Sequence, residues 1–197
     1  MIRRFVRRLR RDRRGVTIIE FAIVTPVLFT MLMGLFDLMY RSYAQTVLDG
    51  AMYKAGRDSA LETNASSAAA MDAKVIDMVS VLGPGMKFQA MRRSYSSYLV
   101  AKPENFTDKN GNGVRDPGEC FDDVNGNQQW DADPGQVQSQ GGANDVTRYT
   151  MTVTYPRIFP VAGLLGLPTT QTISSETFLK NQPYKTQVVQ PVQSICT

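Results

Sequence analysis

The 197 residues contain no histidine, which removes Ser–His and Cys–His nucleophile pairs and imidazole ligands for zinc. There are two cysteines, Cys120 and Cys196, too few for a disulfide-dense scaffold or a four-cysteine metal site. The body of the chain also lacks an excess of positive charge. Lys and Arg number 22 against 18 Asp and Glu, a formal charge of +4. The first fifteen residues carry eight arginines and one acid, a net of +7, which leaves −3 on residues 16–197. A nucleic-acid-binding domain needs its basic residues on one face of a folded unit, so no nucleic-acid partner is expected. Catalysis would have to run on carboxylates, lysines or a metal. No nucleophile stands beside a base, and the chain is not expected to be an enzyme.

One long apolar run is present. Residues 16–36 form a 21-residue stretch whose single charge is Glu20. As a helix it spans about 30 Å, the thickness of a bilayer's hydrocarbon core. The arginines before it are expected to stay cytoplasmic, which places the chain after Asp37 across the membrane. Glu20 has two readings: a carboxylate near enough to the interface to stay hydrated, or a buried group that needs a partner. A secretory signal peptide needs a shorter apolar region and a small-residue cleavage site. The paired arginines suit a twin-arginine signal, but a glutamate inside so long a run does not.

Gly15, Val16, Glu20 and Phe21, set between the basic leader and the apolar run, resemble a type IV prepilin signal. That resemblance implies cleavage by a prepilin peptidase between Gly15 and Val16. It also implies that Glu20, fifth in the mature chain, meets the new amino terminus of a neighbouring subunit, where low dielectric strengthens the pair. With Pro26, the Gly34–Asp37 segment, Tyr43 and the small-residue helix beyond, the N-terminal region resembles the TadE-like pseudopilins of the tight-adherence (Tad/Flp) pilus. The stretch from Thr152 to Tyr184 is similar to the same family's closing pattern: a strand, Tyr155-Pro156, a Leu/Gly-rich turn, a second strand, then Lys180-Asn181 and Pro183-Tyr184. The resemblance implies a minor pilin-like subunit acting in assembly or initiation of an adhesive pilus. It implies one pass through a bacterial inner membrane, with the leader cytoplasmic and the head periplasmic. The implied partners are the prepilin peptidase, other pseudopilins or pilin, and the Tad assembly machinery, and the subunit could enter the filament.

The pattern of the remaining chain predicts an α+β fold. Residues 1–15 are the leader, 16–62 a membrane-spanning and extended helix, and 63–197 a head with an insertion at about 103–145. Pro26 is expected to kink the helix. Tyr40, Tyr43, Ala44, Val47, Ala51 and Ala55 recur at three- and four-residue steps, a stripe for the helix's own head or for bundling between molecules. Asn64–Ser67 reads as a break, with Ser66 or Ser67 capping a second helix to Leu82, stopped by Gly83-Pro84-Gly85. Strands are expected over Lys87–Arg93, Val146–Tyr155 and Thr172–Leu179, the last two as antiparallel partners. Residues 158–167 form an apolar connection, either a core loop or a patch that touches the membrane or another subunit.

Residues 108–119 carry the chemistry. Asp108, Asn110, Asn112, Gly113, Asp116 and Glu119 occupy positions one, three, five, six, nine and twelve of a twelve-residue loop. This is calcium-loop spacing: alternate hard oxygens wrap the ion, glycine permits the sharp turn, and a terminal glutamate binds bidentately. Val114 would add its carbonyl. Pro103 and Pro117-Gly118 do not support flanking helices, and Arg115 stands at the eighth position where an apolar residue is usual. A second copy starts fifteen residues on, with Asp123, Asn125, Asn127 and Asp131 in place. There Gln128 replaces the turn glycine and Pro134 the final glutamate, for which Asp133 is the nearest substitute. The polar alternative is an unbound Gly/Asn-rich surface loop. Calcium would serve to order a long insertion.

Cys120 and Cys196 are candidates for a disulfide if the head lies in an oxidising compartment; pairing between molecules and two free thiols are the alternatives. A different class of function is a signal-anchored, calcium-dependent surface adhesin or binding module, whose head would itself hold an external target.

Overall fold

The computed structural model describes residues 14–61, 68–139, 141–142, 144–181 and 191–196. The leader 1–13, the break with Ser66 and Ser67, and Pro183-Tyr184 of the closing pattern lie outside these residues. The element order is α1 (Arg14–Leu61), α2 (Ala68–Val79), β1 (Lys87–Tyr95), β2 (Cys120–Asp123), β3 (Gln136–Val137), β4 (Val146–Pro156), α3 (Val161–Leu164), β5 (Thr170–Lys180) and β6 (Gln193–Cys196). Four strands form one sheet in the order β3-β1-β4-β5, and β2 pairs with β6 in a second. This is an α+β architecture with small antiparallel sheets.

The described residues divide into two compact units. The first gathers α1 up to Tyr43 with Pro156–Gln171. Within α1 the apolar run is bare: Ile18, Phe21, Ile23 and Val27 are each exposed by two-thirds or more. The helix carries on through Pro26. Thr25 and Thr30 donate to the Phe21 and Pro26 carbonyls at 2.5 and 2.7 Å, side-chain bonds to the preceding turn of the kind helical threonines make. From Pro156–Gln171, Arg157 pairs with Asp37 and its Nε donates to the Pro168 carbonyl at 3.1 Å. Phe159 stacks on Phe36 with ring centroids 5.9 Å apart.

The second unit is the head. Ala44, Leu48, Ala51, Met52 and Ala55 of α1 are buried, a helical stripe at three- and four-residue steps. Leu48 and Met52 replace two positions of the expected stripe, since Tyr43 is exposed and Val47 only half-buried. The stripe faces β5: Gln45 donates to the Ser174 carbonyl at 3.0 Å, and a Cβ at Gly56 would stand 3.4 Å from Thr177. From α2, Met71, Val75 and Val79 are buried. The helix tightens into a 3-10 turn over Ser80–Leu82 before Gly83 ends it. On β4, Tyr149, Met151, Val153 and Tyr155 point inward with alternating partners outward, the period of two that the sequence carries. β1 runs antiparallel to β4 from Lys87↔Thr154 to Tyr95↔Val146.

A charged group sits inside this core. Arg92, 5% exposed, pairs with Asp72 at 2.5 Å and lies 4.4 Å over the Tyr149 ring. Tyr149 donates its hydroxyl proton to the same carboxylate at 2.6 Å. Burial, then Asp72, pushes the Tyr149 phenol well above its usual range. Buried charge is tolerated only when paired and hydrogen-bonded, and this network ties α2 to both central strands.

Candidate functional site

The acidic loops fold as a matched pair. In the first, Asp108 accepts the Gly111 and Gly113 N–H groups on its two oxygens, both at 2.7 Å. In the second, Asp123 accepts those of Gly126 and Gln128 at 2.7 and 2.9 Å. Asn110 and Asn112 accept the N–H two residues on at 3.1 and 2.8 Å; Asn125 and Asn127 do the same at 3.1 and 2.7 Å. Each asparagine pair also donates its amides to one oxygen of the ninth-position aspartate, Asp116 or Asp131, at 2.7–2.8 Å. The left-handed turns repeat as well. Gly111 and Gly113 have φ of 75° and 76°, while Gly126 and Gln128 have 76° and 63°. Gln128 therefore adopts the conformation that glycine takes in the first loop, at a steric cost glycine avoids.

The loops are closed by carboxylates that have changed places. Glu119 accepts the N–H of Lys109 at 2.8 Å and of Asp116 at 2.9 Å, closing the first loop. In the second, the equivalent donors are Val124 and Asp131, and both give to Glu104 at 2.9 Å. Glu104 and Glu119 are 3% and 4% exposed. Glu104 stands four residues before Asp108, and Glu119 four before Asp123, so each glutamate of the fifteen-residue repeat serves the other copy's loop. The eighth positions cross over in the same way. Arg115 lies 5.0 Å over the Phe121 ring, and Trp130 meets Phe106 edge-on at 6.0 Å. A bridge between Phe106 and Phe121 joins the copies. Two backbone bonds flank it: Thr107 N–H to the Cys120 carbonyl at 2.8 Å, and Asp122 N–H to that of Asn105 at 2.9 Å. Arg115, at odds with an apolar eighth position by sequence, thus has an aromatic face to cover.

Asp133 does not close the second loop. Its carboxylate pairs with Arg148 and, at 3.4 Å, Arg93, and accepts the Tyr95 hydroxyl at 2.7 Å. Burial alone would raise its pKa, but bonds from Tyr95 and Gly135 and the Arg148 charge outweigh burial and hold it low. The Tyr95 phenol is pushed up to about 12 by burial and by Asp133. This knot seats the end of the repeat on the four-stranded sheet. Gly135 passes so close that a Cβ would lie 2.7 Å from the Tyr95 ring.

Cys120 and Cys196 are joined by a disulfide across the β2–β6 pairing, where they stand opposite each other. The strand that begins at Cys120 therefore has the repeat's bridge on one side and β6 on the other.

The donor chemistry can be tested against calcium. Both loops gather hard oxygens, as that ion requires. Bonds to Gly113 and other loop N–H groups hold the Asp108 carboxyl below its usual range, which keeps it ionised. Each glutamate oxygen takes one N–H and retains acceptor capacity. Among the described residues no three of His, Cys, Asp and Glu converge as a metal centre. The donors in each loop are instead a mixture of carboxylates and asparagine carbonyls. The residues fit calcium in kind.

The processing residues lie elsewhere. Gly15 and Val16 fall in the first turn of α1, and Glu20 and Phe21 are exposed on it. Thr17–Asp58 contains a stretch long and apolar enough to cross a membrane, of mean hydropathy 2.1 and with none of it buried. No curated protein and no solved structure matches the chain. The family model of TadE-like proteins matches residues 15–57, so that over nearly the whole of its long helix the chain is similar to that family.

Proposed function

We propose that the chain is a minor pilin-like subunit, a pseudopilin, of a Tad-type adhesive pilus. It is anchored by α1, processed between Gly15 and Val16, and acts through protein contacts in assembly or initiation. The observation that carries this reading is the TadE-like match to a helix whose first half is bare and apolar and whose second half is a wall of the head. A helix of that build offers an apolar span to a bilayer and an apolar surface to neighbouring subunits. Glu20 then offers its carboxylate to the amine freed by cleavage. The test is the N-terminal sequence of the native protein, made with and without the prepilin peptidase. Val16 as first residue only when the peptidase is present supports the reading; an uncut chain, or a cut elsewhere, sinks the processing step. Glu20→Ala should leave cleavage intact and weaken association with partner subunits.

Calcium belongs to the same proposal, as the ion that orders the repeat. Asp108, Asn110, Asn112, Val114, Asp116 and Glu119 would hold it in the first loop. In the second, Asp123, Asn125, Asn127 and Asp131 would do so with Glu104 in place of Asp133. The ion's contribution would be to neutralise the carboxylates that the folded loops bring together. Terbium, excited through Trp130, reads binding directly. Sensitised emission that calcium competes away supports the proposal, and its absence at millimolar terbium refutes it.

A further inference from the structure

The segment Pro156–Gln171, which forms one unit with the first part of α1, is firmly built. Arg157 is fixed by its pair with Asp37, by its Nε bond to the Pro168 carbonyl and by its N–H bond to the Thr169 carbonyl at 2.9 Å. Phe159 is fixed on Phe36. The short helix α3 buries Val161 and Ala162, and the Leu167 N–H closes it on the Ala162 carbonyl at 2.8 Å. Around this frame, Ile158, Leu165 and Leu167 are 56%, 62% and 52% exposed. Arg157 is the segment's only charged residue, and it is already paired.

The position explains the exposure. The stretch from Thr17 to Phe36, where the apolar run ends, is twenty residues, about 30 Å of helix and so one hydrocarbon thickness. The Phe36–Phe159 stack and the Asp37–Arg157 pair therefore stand where acyl chains give way to headgroups. The Asp37 and Arg157 side chains are 13% and 20% exposed, and together they bring no net charge to that boundary. Tyr40 and Tyr43, whose rings lie 6.4 Å apart one turn further on, are of the type that lines membrane interfaces.

We infer that Pro156–Gln171 is a membrane foot: a loop whose exposed leucines and isoleucine enter the boundary layer of the bilayer beside the helix that crosses it, as interfacial apolar faces do. The inference rests on α1 being the membrane anchor, and the test separates the two. Both native cysteines are in the disulfide, so a single introduced cysteine can carry a fluorescent dye. The full chain is labelled at Leu28→Cys or Leu165→Cys and reconstituted in phosphatidylcholine–phosphatidylglycerol vesicles. Quenching is read with lipids spin-labelled near the headgroup or deep in the acyl chain. The foot requires Leu165→Cys to be quenched at least twofold more by the shallow label than by the deep one. Quenching at position 28 with none at 165 overturns the foot and leaves the anchor standing. Absence at both positions overturns both. A dye at 165 that lipid does not quench, but that is shielded more as protein per vesicle rises, assigns the face to a second copy and overturns the lipid docking. Arg157→Gln adds a control on geometry: shallow quenching at 165 should fall about twofold while quenching at 28 is unchanged.

Discussion

Replacing Glu104 with alanine tests the crossed closure of the repeat. The side chain is 3% exposed and accepts two backbone N–H groups, from Val124 and Asp131, both at 2.9 Å. Hydrogen bonds to a charged group contribute about 1.5–3 kcal/mol each, so losing both removes roughly 3–6 kcal/mol. Val124 and Asp131 are only half-buried, and water reaching their freed donors returns part of it. A loss near 3 kcal/mol is the expected net. Glutamine retains one acceptor oxygen and should lose about half as much. The chain supplies its own reporter, because its single tryptophan is Trp130, whose indole donates to the Glu104 carbonyl at 2.9 Å. Urea unfolding of the full chain in detergent, followed by Trp130 emission, should show the Glu104→Ala transition at lower urea and a red-shifted maximum before any urea is added. Glu119→Ala removes the same number of bonds from the first loop and should disturb Trp130 less. If Glu104→Ala leaves the emission maximum and the midpoint at their wild-type values, the carboxylate does not hold the second loop.

Four other outcomes follow from the same physics. Cys120→Ser opens a cross-link spanning 76 residues, for which the chain-entropy model gives about 4.5 kcal/mol; denaturation with and without reductant measures it, and reductant should no longer affect the variant. Asp72→Ala leaves Arg92 buried without its carboxylate and should cost about 3–5 kcal/mol. Adding Arg92→Met should recover part of that loss by thermal unfolding, and a further drop would argue against the pairing. Gln128→Gly relieves a left-handed residue, worth roughly 1–2 kcal/mol, against a glycine entropy cost of about 0.5–1. A small net gain in stability is expected, and a loss would show that the glutamine side chain matters more than its backbone. Tyr95 has its phenol raised from 10.0 to about 12. Above pH 10 the unfolded chain releases that proton before the folded one, so stability should fall from pH 10 through 12, and Tyr95→Phe should flatten part of that fall.

Much of this architecture is legible in the residues. β4 announces itself because Tyr149, Met151 and Val153 alternate with threonines and an arginine, and α1 because its apolar run passes into a small-residue stripe. The stripe's phase is harder to read, since alanines scarcely weight one face over another; burial turns on Leu48 and Met52. β3 and β6, two and four residues long, have no room for a period, and only their partners define them. In the repeat, the first loop's oxygens can be placed by counting. The glutamate of the second cannot be found by looking forward from Asp123, where Asp133 is the next acid after Asp131. It comes from the preceding copy. The signal was present in the spacing: Glu104 and Glu119 each lie four residues before a loop's first aspartate, and aligning the two copies on those aspartates pairs the glutamates.

The pairing of β2 with β6 also sets an order of events in the making of this protein. At about 5–20 residues per second, a ribosome needs roughly 4–15 s after Cys120 to reach Cys196, the 76-residue separation of the disulfide. For that interval β2 has one edge open and a reactive thiol at its start, while the repeat beside it can already close on its own bonds. Oxidation before β6 arrives would give Cys120 a partner on another chain. The local bridge between Phe106 and Phe121 forms from residues only fifteen apart and can hold β2 in place during the wait. A chain with that bridge weakened, by Phe106→Ala for instance, should therefore yield more intermolecular disulfide during synthesis than during refolding of the finished polypeptide.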